Sequence, residues 1–417
     1  MSEVRVRPAS DGEGAALAAV ARGGSLNIAG AVCSQAALFV ITAVVARVLG
    51  QRALGEYALG FSLLTVVGLV VLLGFQSSLT RFVSIHLADD DAAALRGSVR
   101  TGLGLSMGFS VVVAAVLAVA AAPVSAAFGH SLGATGVRLI AVALPAWTLR
   151  DACLAAVQGW RTQRAYAVIW LIVEPLLRLG LTVAVVAAGL GVRASFAALA
   201  AASWLAAVLA VRSLRTRLRR VPRTAPRHDV RTMLSFTTTA WCTALASVGL
   251  VWADTLLLGV LTTPRQVGIY TVATRLVNLA VFVVVPVNAA FAPQFARLLH
   301  LADSRSLRRT YAAAATWVVR LSLPAFVALV LFPKDLLEIF GSGVATGVSV
   351  TVILCAGQFV NAATGPSGAV LNMSGRNRLN MIDNIVALAL NIGLNLWLIP
   401  VDGIRGAAIA WSVSLAV

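Results

Sequence analysis

The most informative absence in this sequence is charge. Only 12% of its 417 residues are Asp, Glu, Lys or Arg, whereas about a quarter is typical of a soluble domain. Apolar runs of about 20 residues recur along the chain, which is the length that a helix needs to cross a bilayer. A soluble helical protein would carry polar faces on these helices, and they have almost none. The sequence therefore predicts an all-α polytopic membrane protein.

Cysteine is scarce, and motifs for catalysis are missing. The four cysteines lie within apolar runs and show no CxxC spacing, which argues against a disulfide framework or a zinc site. No GxxxxGK[ST] loop is present, so this chain does not use ATP directly. We also find no nucleophile–His–acid set and no metal-ligand cluster. We expect a protein that is not an enzyme and has no cofactor or metal.

Lysine is almost missing too, since Lys334 stands beside 32 arginines. The net charge of +17 would suit nucleic acid, but the basic residues fall in short loops between apolar runs, so no nucleic-acid partner is expected. On the N-terminal side of the membrane the loops and tail carry 22 basic residues, against six on the other side. The positive-inside rule therefore predicts a multi-pass protein of the plasma or inner membrane with a cytoplasmic N-terminus.

A basic segment divides the chain into two halves. Residues 212–233 carry eight arginines and form a predicted cytoplasmic linker. Six apolar spans precede it in residues 26–211, and six follow it in residues 234–417. The last of these has too few residues to cross a bilayer, so we expect an incomplete helix. Residues 1–25 are polar and predict a disordered cytoplasmic tail.

The two halves resemble each other. Residues 156–181, moved forward by 213 positions, meet residues 369–394 without a gap and share Gly and apolar positions. Gly55-Glu-Tyr57 is echoed in the same way by Gly268-Ile-Tyr270. An even number of spans gives both halves the same orientation. We therefore predict two parallel six-helix repeats with a transport path between them.

Charged side chains within the spans are the candidates for function. A charge at the bilayer centre costs about 2.5–3.5 kcal/mol on insertion scales, so it needs a partner or a polar cavity. Arg178 follows Glu174 by one helical turn, and the pair either neutralises itself or lines a chamber. Arg320 has no acid near it on its own helix. Asp254 and Arg275 lie on consecutive spans and form either a salt bridge or a gate and ion-coupling site.

The fourth and eleventh spans carry the remaining candidates. Arg150 and Asp151 point about 100° apart on a helix, so no pairing is expected, and Arg150 either snorkels or binds substrate. Asn391 and Asn395 lie one turn apart and bond either sugar hydroxyls or a neighbouring helix. The candidate substrate-binding residues are Arg178, Arg320, Arg150, Arg275, Asn391 and Asn395. The candidate ion-coupling residues are Glu174, Asp254 and Asp383.

Motifs near the start of each half and near the end of the chain resemble those of one transporter family. They are Val48-Leu-Gly50, Leu54-Gly-Glu-Tyr57, Leu79-Thr-Arg81-Phe82, Asp254-Thr-Leu-Leu-Leu-Gly259, Val267-Gly-Ile-Tyr270, Ala273-Thr-Arg275-Leu276, Leu371-Asn-Met-Ser-Gly375-Arg376, Asn391-Ile-Gly-Leu-Asn395, Leu398-Ile-Pro400 and Gly403-Ile-Arg-Gly406. The sequence is similar, over nearly its whole length, to Wzx-type polysaccharide flippases of the MATE-like MOP superfamily.

The resemblance implies a V-shaped, two-lobed carrier that works by alternating access. Such a carrier moves a polyprenyl-pyrophosphate-linked oligosaccharide from the cytoplasmic to the outer leaflet for cell-surface polysaccharide synthesis. The expected partners are this lipid-linked oligosaccharide, membrane lipids, and a polysaccharide polymerase or other assembly proteins. Arginine suits pyrophosphate because its planar fork pairs two oxygens and stays charged, so the buried arginines predict a cationic chamber.

Three alternatives stay open on the sequence. A lipid II flippase would share the cationic chamber. A multidrug or cation antiporter of the same superfamily would want an acidic, aromatic pocket, against which the intramembrane arginines argue. A glycosyltransferase or polymerase would need a large catalytic region outside the membrane, and the longest loop here has only about 22 residues.

Overall fold

The computed structural model describes residues 11–416 except 283, 302, 375 and 376. Within this part of the chain the structure is helical and contains no β-strand, and eight helices are long and apolar enough to cross a membrane. The predicted all-α polytopic fold is confirmed. The first helix begins at Asp11, so part of the segment predicted as a disordered tail is helical. Residues 1–10 lie outside the described residues.

The N-terminal half runs from α1 to α8. Its α-helices are α1 (Asp11–Leu72), α2 (Phe75–Ala88), α3 (Ala92–Val119), α4 (Ala121–Ala127), α5 (Gly133–Gln158), α6 (Arg164–Tyr166), α7 (Glu174–Ala187) and α8 (Gly191–Leu218). The range of α1 contains two helical segments that meet at a kink at Gly50, whose non-helical φ of 84° is accessible to glycine at little cost, so it holds two predicted spans. A π-helix, Ala167–Val173, precedes α7. Its wider turn accommodates Pro175, whose ring would otherwise clash with a carbonyl of the preceding turn.

The C-terminal half runs from α9 to α17. Its α-helices are α9 (Val230–Leu261), α10 (Pro264–Val281), α11 (Val284–His300), α12 (Ser304–Leu331), α13 (Pro333–Glu338), α14 (Val348–Thr364), α15 (Ser367–Met373), α16 (Asn377–Asp402) and α17 (Ile404–Ala416), with a 3-10 turn at Ala345–Gly347. The helices follow the order of the predicted spans, with α10 and α11 sharing one span and α14 and α15 another. The repeat relation between the halves stays a prediction.

The two halves meet closely where α1 crosses α10. A Cβ atom at Gly55 would lie 1.7 Å from the Pro264 carbonyl oxygen, and one at Gly268 would lie 2.0 Å from the Gln51 carbonyl oxygen. Only residues without a side chain permit this approach. The Gln51 side-chain amide also donates to the Phe340 carbonyl, at 3.1 Å. We call this contact the glycine crossing; it lies at the membrane face opposite the basic segment.

The basic segment is ordered and folds back onto α3. Arg96 donates hydrogen bonds of 2.8–3.0 Å to three carbonyl oxygens between Leu218 and Pro222. Arg227 forms a 2.6 Å ion pair with Asp91, whose side chain also caps α3. Arginine can hold several acceptors at once because it presents five donors in a fixed fork. The connection between the halves is therefore a fixed structure, and the membrane face on which it lies is called the basic face below.

Candidate functional site

A cavity of about 70 Å³ lies between α1, α9 and α10, where the two halves face each other. Several of its lining residues are separated by 213 positions, the spacing that the sequence predicts for the repeat. Thr42 and Thr255 form one such pair, and Phe61 and Thr274 form another. Residues that the predicted repeat would pair therefore line the same small space, which we call the central cavity.

Arg178 lies directly behind the wall of the central cavity. Its side chain is 4% exposed, and its guanidinium lies 4.6 Å from the centroid of the Phe61 ring. Glu174 Oε1 is 4.0 Å from Arg178 Nη1, the outer limit of an ion pair, so neutralisation is incomplete. Nε and Nη1 of Arg178 lack a hydrogen-bond partner within the described chain, and the Tyr57 and Thr182 hydroxyls lie together nearby. Buried donors in this state favour an anionic ligand.

Arg275 approaches the same region from the other half. It lies on α10, lines the central cavity and interacts electrostatically with Arg178. Among the described residues no carboxylate forms a salt bridge with it, and its Nε has no hydrogen-bond partner. The salt bridge to Asp254 that the sequence allows is not formed. Burying two guanidinium groups that are not fully neutralised is energetically unfavourable unless an anion binds between them.

Asp254 forms a separate buried cluster in the C-terminal half. The Tyr270 hydroxyl donates to its Oδ2 at 2.7 Å, and the side-chain amides of Asn391 and Asn395 donate to its Oδ1 at 2.9 and 2.6 Å. Both asparagines are fully buried, and their amides join α16 to α9, one of the two roles that the sequence left open. No basic side chain in the described part of the chain pairs with Asp254. A buried carboxylate in this setting favours a bound proton or cation.

The Arg178 and Asp254 clusters contain residues that the predicted 213-residue repeat would pair. The pairs separated by 213 positions are Tyr57 with Tyr270, Arg178 with Asn391, and Thr182 with Asn395. The counterpart of Asp254 is Ile41, which is buried and apolar. The 213-residue spacing of the predicted repeat would thus pair residues beside a guanidinium in the N-terminal half with residues beside a carboxylate in the C-terminal half. Sequence reasoning missed this arrangement, although the 213-residue spacing, extended to single polar positions, could have found it.

A larger cavity of about 890 Å³ lies between α2, α9 and α16, toward the basic face. Its polar lining consists mostly of hydroxyl and amide side chains: Ser77, Thr232, Ser235, Thr243, Ser247 and Asn380. The Arg81 guanidinium stacks over the Phe236 ring at 4.5 Å in the same cavity. Arg81 lies within α2. The Ser235 and Ser247 hydroxyls donate to the carbonyls of Thr232 and Thr243, and the oxygens of these hydroxyls can still accept hydrogen bonds.

The remaining candidates lie elsewhere. Arg150 is fully buried and its Nη2 lies 2.7 Å from Asp151 Oδ1, with the guanidinium 4.0 Å from the Trp147 ring. The expectation that neighbouring positions do not pair was wrong, because the long arginine side chain can curl back to its neighbour. Arg150 therefore does not snorkel to the surface. Arg320 and Asp383 are exposed and line neither cavity, so their functional roles stay predictions.

Comparison with known proteins identifies similar sequences. A family model described as "Polysaccharide biosynthesis protein" matches residues 20–299, and the MatE model matches residues 241–397. Two relatives come from Haloferax volcanii. "Probable flippase AglR" is 29% identical over 258 residues, which is 60% of this chain and 52% of AglR. "Probable low-salt glycan biosynthesis flippase Agl15" is 28% identical over 170 residues, 40% of this chain and 35% of Agl15. The chain thus spans about half the length of AglR and about a third of the length of Agl15.

Solved structures share the fold. The lipid II flippase MurJ in an inward closed conformation has a TM-score of 0.75 at 11% identity, covering 94% of this chain and 85% of MurJ. An inward-facing multidrug resistance MATE family transporter of the MOP superfamily has a TM-score of 0.73 at 14% identity, covering 92% of this chain and 91% of that one. At these identities the likeness concerns the fold alone. Together with the family matches, it confirms the resemblance carried by the sequence motifs.

Proposed function

Since this chain belongs to the polysaccharide biosynthesis protein family, we propose that it is a flippase for a polyprenyl-pyrophosphate-linked oligosaccharide. It would carry this lipid from the cytoplasmic to the outer leaflet for cell-surface polysaccharide synthesis. The observation that carries the proposal is the pair of incompletely neutralised arginines, Arg178 and Arg275, which the two halves bring to one region. The names of the relatives AglR and Agl15 support a flippase, and that of Agl15 supports a role in glycan biosynthesis.

The pyrophosphate is the group that Arg178 and Arg275 would bind. Each guanidinium can pair two phosphate oxygens and keeps its charge at any physiological pH. The hydroxyls of Tyr57 and Thr182 provide further donors beside Arg178. On insertion scales one unneutralised arginine costs about 2.5–3.5 kcal/mol at the bilayer centre, so an anion that joins Arg275 to the incompletely neutralised Arg178 relieves a penalty of at least this order. Binding would therefore draw the two halves toward the substrate.

The sugars would occupy the large cavity. The central cavity holds only about 70 Å³, too little for a glycan, whereas the 890 Å³ of the large cavity falls within the range of about 300–1,000 Å³ for ligand pockets. Its hydroxyl and amide lining matches the hydroxyl groups of a sugar. Because the large cavity lies toward the basic face, which the charge asymmetry assigns to the cytoplasm, substrate would arrive there first.

Asp254 is the proposed ion-coupling residue. Of the three acidic candidates, Glu174 already has Arg178 as a partner and Asp383 is exposed, whereas Asp254 is buried and has no basic partner among the described residues. Its Tyr270 partner lies on α10, five residues from Arg275. A proton or cation on Asp254 would change the contacts between α9, α10 and α16. Ion binding would in this way shift the position of Arg275 and couple a gradient to substrate movement.

Substitution of the two arginines tests the proposal. Charged hydrogen bonds contribute about 1.5–3 kcal/mol, so R178Q or R275Q should lower polysaccharide export by about 10- to 150-fold at equal membrane levels. R275K keeps the charge but loses the planar fork, and an intermediate value is expected. R138Q, which removes an exposed arginine of α5, is the matched control and should export normally.

The outcomes separate the proposal from its alternatives. Normal export in both R178Q and R275Q contradicts the cationic chamber. Accumulation of lipid II, instead of a lipid-linked oligosaccharide, would assign the chain to peptidoglycan synthesis. Increased sensitivity to cationic drugs without any accumulated lipid would indicate an antiporter.

A further inference from the structure

A third cavity lies outside the path between the halves, at the basic face of the N-terminal half. It has a volume of about 410 Å³ and lies between the end of α2, the start of α3, the turn after α5 and the end of α8. We propose that this basic-face pocket binds the phosphate headgroup of an anionic phospholipid from the surrounding leaflet. The proposal does not depend on the transported substrate, because none of the residues of the central or large cavity lines this pocket.

Two arginines supply the positive charge of the basic-face pocket. Arg217 is held in place by its Nη1, which donates to the Ser213 hydroxyl at 2.7 Å and to the Ser213 carbonyl at 3.0 Å. Its other N–H groups have no acceptor among the described residues. Arg220 lines the same pocket, and neither arginine forms a salt bridge within the described chain. Two guanidiniums with free donors suit the oxygens of one phosphate group.

The rest of the lining is amphipathic. Leu87, Leu95 and Val221 form an apolar wall, and the Trp160 ring lies beside them. Tryptophan is common at the level of lipid headgroups because its ring is apolar and its N–H is polar. Such a wall fits the glycerol backbone and the first carbons of the acyl chains, which a soluble phosphate lacks. An apolar wall beside two cations therefore favours a phospholipid over a free anion.

Two titratable groups at the α2–α3 side of the pocket determine which headgroup fits best. Asp90 and His86 also line the basic-face pocket. With two arginines and one aspartate, the pocket keeps a positive balance. The Asp90 carboxylate can accept a hydrogen bond from a hydroxyl of the headgroup. We therefore commit to an anionic lipid with a hydroxylated headgroup, such as phosphatidylglycerol.

The pocket is built by the fixed part of the basic segment. Arg96 ends α8 by holding the carbonyl oxygens of Leu218, Val221 and Pro222, and this places Arg220 and Val221 against α3. The Arg227 N–H also donates to the Ala93 carbonyl at 3.0 Å. A lipid bound here would contact both the end of α8 and the start of α3. It would thereby stabilise the folded connection between the two halves.

Native mass spectrometry of the full chain in detergent tests this proposal. The protein is titrated with phosphatidylglycerol and, separately, with phosphatidylcholine. A single arginine near an anionic headgroup contributes a modest free energy of binding. Loss of two arginines should therefore weaken the affinity for the lipid by about 30-fold. We expect R217Q/R220Q to lose this much affinity for phosphatidylglycerol. The matched control is R215Q/R219Q, which removes two exposed arginines of the same helix end that do not line the pocket.

A second variant tests the shape of the pocket without changing its charge. A92W would fill the basic-face pocket from the start of α3, and the same loss of phosphatidylglycerol binding is expected. Three outcomes overturn the proposal. They are equal losses in R217Q/R220Q and R215Q/R219Q, equal affinity of the native chain for both lipids, and competition by glycerol phosphate at matched ionic strength. The last outcome would indicate a soluble phosphate as the ligand.

Discussion

The glycine crossing gives the sharpest prediction about the conformational cycle. In G55A the new methyl group would lie 1.7 Å from the Pro264 carbonyl oxygen, and α1 and α10 must separate by more than 1 Å before this distance reaches 3.0 Å. Overpacking of this kind costs typically about 1–3 kcal/mol. In a conformation where the two helices have parted at this face, the methyl group meets no such obstacle. The substitution should therefore favour the open conformation by about 5- to 150-fold.

Thiol accessibility measures this shift. A cysteine is placed at Thr271, which lines the central cavity, in a chain without its four native cysteines. A membrane-impermeant maleimide is then added from the face opposite the basic one. The rate of labelling should increase in G55A and in G268A, since a methyl at Gly268 would lie 2.0 Å from the Gln51 carbonyl oxygen. The labelling rate should increase by about 5- to 150-fold, the shift expected from the overpacking cost.

Two other glycines provide matched controls. A Cβ atom at Gly104 or at Gly180 would have no neighbouring atom within 4 Å, so G104A and G180A change helix composition without a clash. Their labelling rates should equal that of the parent. An unchanged rate in both G55A and G268A, or an equal increase in G180A, would refute the role of the crossing as a closure of this face.

Three further predictions concern single contacts. Y270F removes the 2.7 Å hydrogen bond to Asp254. Hydrogen bonds between membrane helices average about 0.6 kcal/mol, with a maximum of about 1.7 kcal/mol. Ion-driven transport, measured as export at different imposed ion gradients, should therefore fall by about 3- to 17-fold. R96Q releases the carbonyl oxygens at the end of α8 and should increase cleavage of residues 219–229 by added protease, while the exposed control R100Q should not. The backbone N–H of Ala94, with help from Arg227, lowers the pKa of Asp91 below its usual 3.8, so its contribution to stability is present above that pH and is lost as pH falls through the lowered value. Between about pH 6 and pH 3 the unfolding temperature should therefore fall more steeply in the native chain than in D91N, and equal slopes would contradict this.

Much of the fold could be predicted from the sequence because membrane helices follow simple physics. Apolar length determines the spans, and the predicted spans fall mainly on helical residues, with the first span and most of the second within α1. The bend in α1 could be located at Gly50, since glycine is the residue that tolerates its backbone angles. The charge asymmetry gave an orientation that the fold does not test.

The candidate site was less accessible to sequence reasoning. Spacing along one helix suggested the Arg178–Glu174 pair, whose atoms do lie 4.0 Å apart. It did not show that the amides of Asn391 and Asn395 converge on Asp254, because those contacts join helices far apart in the chain. Contacts between distant helices depend on packing, which periodicity does not report.

The lipid intermediate that accumulates when the gene is deleted, and the leaflet in which it accumulates, tests the central proposal most directly. The account predicts a polyprenyl-pyrophosphate-linked oligosaccharide in the cytoplasmic leaflet, cleared by the native gene but not by R178Q or R275Q. Appearance of that lipid in the outer leaflet of the deletion strain, at the rate seen in the parent strain, would contradict the account.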